Sequence, residues 1–352
     1  MVCVKISAVT NERHGATTAL GPVRVKQAAR ALERGVSFLL ANQGPDGLWR
    51  DFMTPAGEAS EWPSGVVGTA LHAAGADGAA LERAAAALAE RQNPDGGWGY
   101  AEDVPTDADS TACVLLFLAR TGRHGDACRR AAACLRRHQA EDGGVATYAE
   151  ANSIRRFMGV PRWLRFRGWC AAHTEVTAAA GRALEALEPD NPDALAAWRH
   201  VRSRQRPDGS WAAYWWMSPH YSTLQAVELG LACGDGAAVR RAAAWAKGGG
   251  PSATGATPAF ATALSLTLLL RAGSETQPVE RALDLLAAIQ ENDGGWPSGP
   301  IMRIPLPGDI DPDRPRRVRF GGPGIMVADQ HRTFTTAACV VALAAAAPSR
   351  GV

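Results

Sequence analysis

Gln92-Asn93-Pro94-Asp95-Gly96-Gly97-Trp98 is the stretch on which the fold turns, because close copies of it recur along the chain. Gln43-Gly44-Pro45-Asp46-Gly47-Leu48-Trp49, Gln205-Arg206-Pro207-Asp208-Gly209-Ser210-Trp211 and Gln290-Glu291-Asn292-Asp293-Gly294-Gly295-Trp296 keep the Gln, Asp, Gly and Trp at one spacing. A degraded copy, Gln139 to Val145, has lost the Trp, and around Lys247-Gly248-Gly249-Gly250 only the glycines remain. The unit is about fifty residues long, the signature of a repeat architecture. Upstream of each copy lies an Ala/Leu/Arg-rich segment with apolar residues at three and four spacing, the pattern of an amphipathic outer helix. Asp-Gly then stops that helix, since Gly accepts the left-handed backbone and Asp bonds nearby amides. The Gln and Trp are expected to clip the turn to the next unit.

After each turn a more apolar segment opens near Ser or Thr: Ser64, Ser110-Thr111, Thr174, Ser222-Thr223, Thr262 and Thr335-Thr336. These are read as inner helices started by hydroxyl caps. Six outer-inner pairs make an all-α, (α/α)6 barrel of six helical hairpins with QxxDGxW turns, and no strand run competes with that reading. The expected division is an N-terminal extension over 1–21 and one barrel over 22–347, interrupted by insertions at 148–172 and 297–329. Both insertions fall between a turn and an inner helix, hence at the same end of the barrel, where loops carry function.

Bulk properties narrow the partners. With 352 residues and 46% apolar composition the chain can bury a large core. Lys+Arg at 37 against Asp+Glu at 35 leaves +2, so no whole-protein field recruits nucleic acid. Seven cysteines without metal-like pairing sit mostly in apolar helical stretches, Cys113, Cys233 and Cys339 among them, and suit a reducing compartment. No signal-like segment and no run of about 18 apolar residues is present, so a cytoplasmic location is expected, with peripheral membrane association left open.

Chemistry concentrates ahead of the second inner helix, in Pro105-Thr106-Asp107-Ala108-Asp109-Ser110-Thr111-Ala112. Protonating an unactivated alkene needs a neutral carboxylic acid, held dry and aimed at one carbon, with groups that stabilise the carboxylate left behind. Asp109 at the mouth of an inner helix fits the acid, Asp107 can share a proton with it, and helix N-terminal amides can stabilise the anion. The bland alternative is that Asp107, Asp109 and Ser110 are N-capping residues.

This segment, following Gly96-Gly97-Trp98-Gly99-Tyr100, resembles the squalene-hopene cyclase family of repeat-containing terpene cyclases, in which the turn leads to an Asp-X-Asp-Asp-Thr-Ala motif. The resemblance covers most of residues 22–345. It implies protonation-initiated cyclisation or isomerisation of a polyprenyl substrate or prenylated intermediate, without a cofactor, with Asp109 as the acid and Asp107 beside it. It also implies that Tyr100, Tyr148 and Trp215 line the path of a carbocation, which ring faces stabilise without reacting as bases. Trp216, in the aromatic run Tyr214-Trp215-Trp216-Met217, joins that set.

Two departures stand out. Ser110 replaces the motif's last Asp, and Ala179 stands where the family places a histidine partner for the acid, leaving Ser110, His173 and Glu175 as the residues expected to tune Asp109. In the 148–172 insertion, aromatic and aliphatic residues alternate with Arg155, Arg156, Arg162, Arg165 and Arg167, and Arg314 to Arg319 form a second basic stretch. Arg162 and Arg165 are candidates for gripping a diphosphate, an anionic membrane or an acidic partner. The two insertions are the only segments long enough to cover the barrel mouth; otherwise a partner protein or a membrane must do so.

The spacing of Asp109, Cys113 and His331 does not suit zinc, and no Asp-Asp-X-X-Asp run offers magnesium ligands, so no metal is expected. The rival function is a non-catalytic isoprenoid-binding or partner-binding barrel in a biosynthetic pathway.

Overall fold

The fold is taken from a computed structural model that describes residues 21–76, 78–248, 258–274, 276–311, 313 and 324–347. The proposed extension over 1–21, apart from Gly21, and the basic stretch Arg314 to Arg319 lie outside the described residues, as do Gly249 and Gly250.

Six outer helices are α1 (Pro22–Ala41), α3 (Gly78–Glu90), α5 (Gly125–His138), α8 (Pro192–Arg202), α10 (Gly236–Lys247) and α12 (Thr276–Ile289). Between them come the inner helices α2 (Glu61–Ala73), α4 (Ala108–Thr121), α7 (Thr174–Leu187), α9 (Pro219–Ala232), α11 (Pro258–Arg271) and α13 (Thr333–Ala346). Each inner helix packs on the next, and α13 packs on both α11 and α2, so the inner ring closes. The burial pattern shows why each helix takes its layer. In α5 the buried residues Ala127, Cys128, Ala131, Ala132 and Leu135 recur at three and four spacing, one stripe facing inward. In α4 Ala108 and every residue from Ser110 to Leu118 is buried, as a helix covered on all sides requires.

The repeated turn works as a clip. Trp98 is fully buried and its indole N–H donates to Leu88 O at 2.7 Å, tying the turn to its own outer helix. Gln92 Nε2 donates to Gly96 O at 2.7 Å and to Ala127 O on the next outer helix at 2.9 Å. Gly96 has φ +88°, and a Cβ there would stand 2.7 Å from Arg130 O, so this close approach of turn to helix requires glycine. The same Gln bond is made by Gln43 to Ala80 O, Gln139 to Asp193 O and Gln205 to Ala238 O. In the last unit Gln290 Nε2 donates to Ala31 O at 2.9 Å, joining the end of the repeat series to its beginning. The expected clip is therefore present, and it also seals the ring.

Two expectations are corrected. The inner-helix hydroxyls are not N-caps: Ser64, Thr111, Thr223 and Thr336 sit inside their helices, and each Oγ accepts the backbone N–H of the turn Trp. Their role is to satisfy a buried amide that the turn leaves without a partner. Likewise α11 starts at Pro258, ahead of Thr262. Strands are also present, as two short antiparallel ribbons, β1 (Asp51–Thr54) with β2 (Gly57–Ala59) and β3 (Pro300–Ile304) with β4 (Ile325–Ala328). They are too short for a periodicity of two to stand out in sequence.

The 148–172 insertion carries α6 (Ala151–Phe157), and the 297–329 insertion carries β3 and β4. They meet each other. Gly168 N donates to Pro307 O at 2.8 Å, and Trp169 Nε1 donates to Pro305 O at 2.9 Å. Both lie at the N-terminal end of the inner ring. Among the described residues no helix is long and apolar enough to cross a membrane.

Candidate active site

At the head of α4, Asp107 is the N-cap. Its Oδ1 accepts Ser110 N and its Oδ2 accepts Ser110 Oγ, both at 2.7 Å. Burial raises its pKa to about 6 against the lowering effect of these bonds. Two residues on, Asp109 faces a cavity instead, and its Oδ1 has no hydrogen-bond partner. Burial first, then the neighbouring charges of Asp107 and Glu175, push its pKa well above the usual carboxylate range. Asp109 thus favours its protonated form far more than an ordinary carboxyl does, at the wall of the cavity.

Glu175, in the first turn of α7, is fully buried, and burial raises its pKa too. Its Oε1 accepts Tyr214 N at 2.7 Å and Trp215 N at 2.8 Å. Arg303 on β3 grips the other side of the same segment, donating from Nη2 to Ala213 O at 2.7 Å and from Nε to Tyr214 O at 2.9 Å. One peptide run is thus held between an acid and a base, and Trp215 is aimed by that clamp. Its indole N–H donates to Thr147 Oγ1 at 2.9 Å.

The cavity measures about 490 Å³. Asp107, Asp109 and Ser110 form its polar corner; Tyr100, Tyr148, Trp215 and Trp216 stand on its walls with Phe52 and Trp62. Both insertions close over it, through Ile154, Phe157 and Trp169 from one and Met302, Ile304 and Leu306 from the other. Beneath lies a deck of packed rings: Trp62 stacks on Phe52 at 5.1 Å and lies tilted against Phe334 at 4.9 Å, and Trp216 stacks on Tyr221 at 3.8 Å. Burial raises the pKa of Tyr100, further raised by Asp107 though its bond with Thr54 opposes this, and holds that of Tyr148 well above the ordinary phenol value. Both stay neutral ring faces. A neutral acid in an apolar, aromatic-walled chamber can protonate a hydrocarbon double bond and shelter the cation that results.

No protein-family model matches the sequence. Among solved structures, a variant of the type II terpene cyclase MstE from Scytonema, in complex with its substrate geranylgeranyl dihydroxybenzoate, is 31% identical with a TM-score of 0.81, covering 93% of this chain and 99% of that one. The chain belongs to the type II terpene cyclases. A protein from Actinoplanes is likewise 31% identical, with a TM-score of 0.78 over 91% of this chain and 99% of that one. The drimenyl diphosphate synthase of Streptomyces showdoensis is 31% identical over 270 residues, which make up 73% of this chain and 40% of that protein. The chain thus spans about two fifths of the length of the curated relatives it matches.

Against this family the sequence-based expectations sort cleanly. Asp109, Asp107, Ser110, Tyr100, Tyr148, Trp215 and Trp216 do meet at one cavity. Asp107 is turned onto Ser110, whose N–H and hydroxyl it accepts, rather than onto Asp109. Capping falls to Asp107, whereas Asp109 lies in the first turn of α4 and lines the cavity. His173 does not partner the acid: its Nε2 donates to Gly168 O at 2.8 Å, its ring stacks on Tyr214 at 3.5 Å, and burial lowers its pKa to about 4. Arg162 and Arg165 are exposed and do not line the cavity, because their segment turns its Phe166 and Trp169 inward. Phe52, Trp62 and Arg303 went unseen in the sequence; only the position of Trp62 at the head of α2, matching Asp109 at the head of α4, offered a hint.

Proposed function

We propose that this chain cyclises or isomerises a polyprenyl substrate or prenylated intermediate by protonating an alkene, with Asp109 as general acid. One observation carries the reading: a carboxyl whose pKa burial and two like charges push well above the usual range lines a chamber walled with aromatic rings, with its Oδ1 buried and without a hydrogen-bond partner. In the step, the Asp109 O–H bond breaks, the alkene π pair takes the proton to form a C–H bond, and the neighbouring carbon becomes cationic. A further alkene attacks that carbon to close a ring. Loss of a proton from the last cation gives an isomer that retains every atom. Asp107 and Glu175, which hold the proton on Asp109 in the resting state, also favour the developing cation, since negative charge in a dry site stabilises positive charge nearby. Tyr100, Tyr148, Trp215 and Trp216 supply ring faces along its path.

The repeat pattern supports a place among single-ring members built on QxxDGxW turns, because Gln290 seals the ring onto α1. Around the cavity mouth Phe157, Met158, Trp163, Leu306, Ile325 and Met326 are exposed beside Arg162 and Arg165, which supports peripheral contact with an anionic lipid surface as the route of a prenyl chain to the site. The test is turnover of polyprenyl substrates by the purified protein, read by mass spectrometry as an isomer of unchanged mass. Asp109→Asn, isosteric but without a transferable proton, should remove turnover and leave substrate binding intact. Turnover within severalfold of wild type in that variant rejects the assignment.

A further inference from the structure

The inner ring holds a second cavity of about 120 Å³ that shares no lining residue with the one at Asp109. It lies toward the opposite end. Arg120 is in the last turn of α4, roughly 16 Å along the helix from Asp109 at 1.5 Å per residue. Four inner helices bring charge to it: Arg120 from α4, Arg182 from α7, Glu228 from α9 and Arg271 from α11. No other Asp, Glu, Lys, Arg or His lines it.

Three guanidinium groups therefore face one carboxylate. Glu228 is taken by two of them, lying 3.0 Å from Arg271 Nε and 3.6 Å from Arg182 Nη2, while Arg182 also donates to Gln225 Oε1. Burial alone would raise the Glu228 pKa, yet the three arginines hold it below the usual value, so it is already an anion and is fully engaged. The Arg120 side chain has no hydrogen bond or ion pair to any described residue. Though the residue as a whole is exposed, burial of its guanidinium first, then the like charges of Arg182 and Arg271, lower its pKa to about 10, with Glu228 opposing. Helix dipoles account for a cation in a last turn, but their effect fades within that turn. Arg182 lies more than a turn before the end of α7.

We propose that this far mouth of the ring is an oxyanion site for a phosphate or diphosphate group, held by Arg120, Arg182 and Arg271. The chemistry suits the group, since guanidinium forks match phosphoryl oxygens in pairs. So does the space, since about 120 Å³ is several times what one water needs and accepts a phosphate-sized anion.

The experiment is calorimetric titration of the full chain with sodium diphosphate at constant ionic strength, run in parallel on Arg120→Gln, Arg120→Lys and the double variant Arg162→Gln/Arg165→Gln. Expected are saturable one-to-one binding to wild type, at least tenfold weakening in Arg120→Gln, partial recovery in Arg120→Lys, and no change in the double variant. Geranyl diphosphate displacing diphosphate with the same dependence on Arg120 assigns the head group of a prenyl phosphate. Failure to displace it assigns the free ion. Absence of saturable binding overturns the site, as does equal affinity in Arg120→Gln or loss of binding in the double variant alone.

Discussion

Replacing Glu175 by Gln separates the two tasks that the structure gives this residue. The Gln oxygen can still accept Tyr214 N and Trp215 N, bonds of 2.7 and 2.8 Å in the wild type, so the aim of Trp215 is kept. What disappears is a negative charge that raises the pKa of Asp109. Losing a like charge in a dry site lowers the cost of ionising Asp109, so its pKa falls. In the proposed role Asp109 acts in its protonated form, so turnover falls as pH rises through its pKa, and removing Glu175 must move that falling limb to lower pH. The assay is a pH profile of kcat/KM, with product measured by mass spectrometry on a prenyl substrate that has no titrating group in the range. Glu175→Ala is the contrasting variant: it strands two buried amides at about 1–3 kcal/mol each and should lower stability as well as turnover. A Gln variant whose high-pH limb stays at the wild-type position, with unchanged thermal midpoint and Trp fluorescence, would show that Glu175 does not set the acid.

Other consequences can be measured independently. Gln290→Ala removes bonds to Ala31 O and Gly294 O, worth about 1 kcal/mol net each, and should lower the denaturation midpoint and expose α1 to proteolysis; an unshifted midpoint would mean the ring closes without it. Arg162→Gln/Arg165→Gln should weaken binding to anionic vesicles and flatten its salt dependence while sparing turnover of a short, soluble substrate, and unchanged vesicle binding would leave these arginines as solvated charge. Asp329, buried near Asp51, has its pKa raised to about 7 by burial and then by Asp51. A raised carboxyl favours the folded state below its unfolded pKa and loses that benefit as pH rises through 7, so the stability of wild type relative to Asp329→Asn should fall by roughly 4 kcal/mol between pH 4 and 8. A pH-independent difference would contradict the assignment.

Much of this protein could be read from one dimension because its fold is a repetition of local rules. Each Gln-to-Trp turn joins an outer helix to the next through bonds such as Gln92 to Ala127 O, so a seven-residue pattern states both where helices stop and which helices are neighbours. Apolar spacing then assigned outer and inner layers, and the Asp107-to-Thr111 segment marked the head of α4 as the place of chemistry. The division of labour there was not legible. Asp107 and Asp109 differ by two positions, and a turn of helix sends one onto Ser110 and the other into the cavity. Only the tertiary structure decided that Glu175 rather than His173 bears on the acid, because a rotation of one residue pair at the start of α7 exchanges a buried carboxylate under Trp215 for a ring stacked on Tyr214. The arginines of the 148–172 insertion were drawn toward the site by sequence proximity and turned away by packing, since burying Phe166 and Trp169 leaves their charged neighbours to solvent. Arg303, Phe52 and Trp62 come from segments far apart in the chain and carry no shared motif, so their convergence on one chamber exists only once six repeats have closed into a ring.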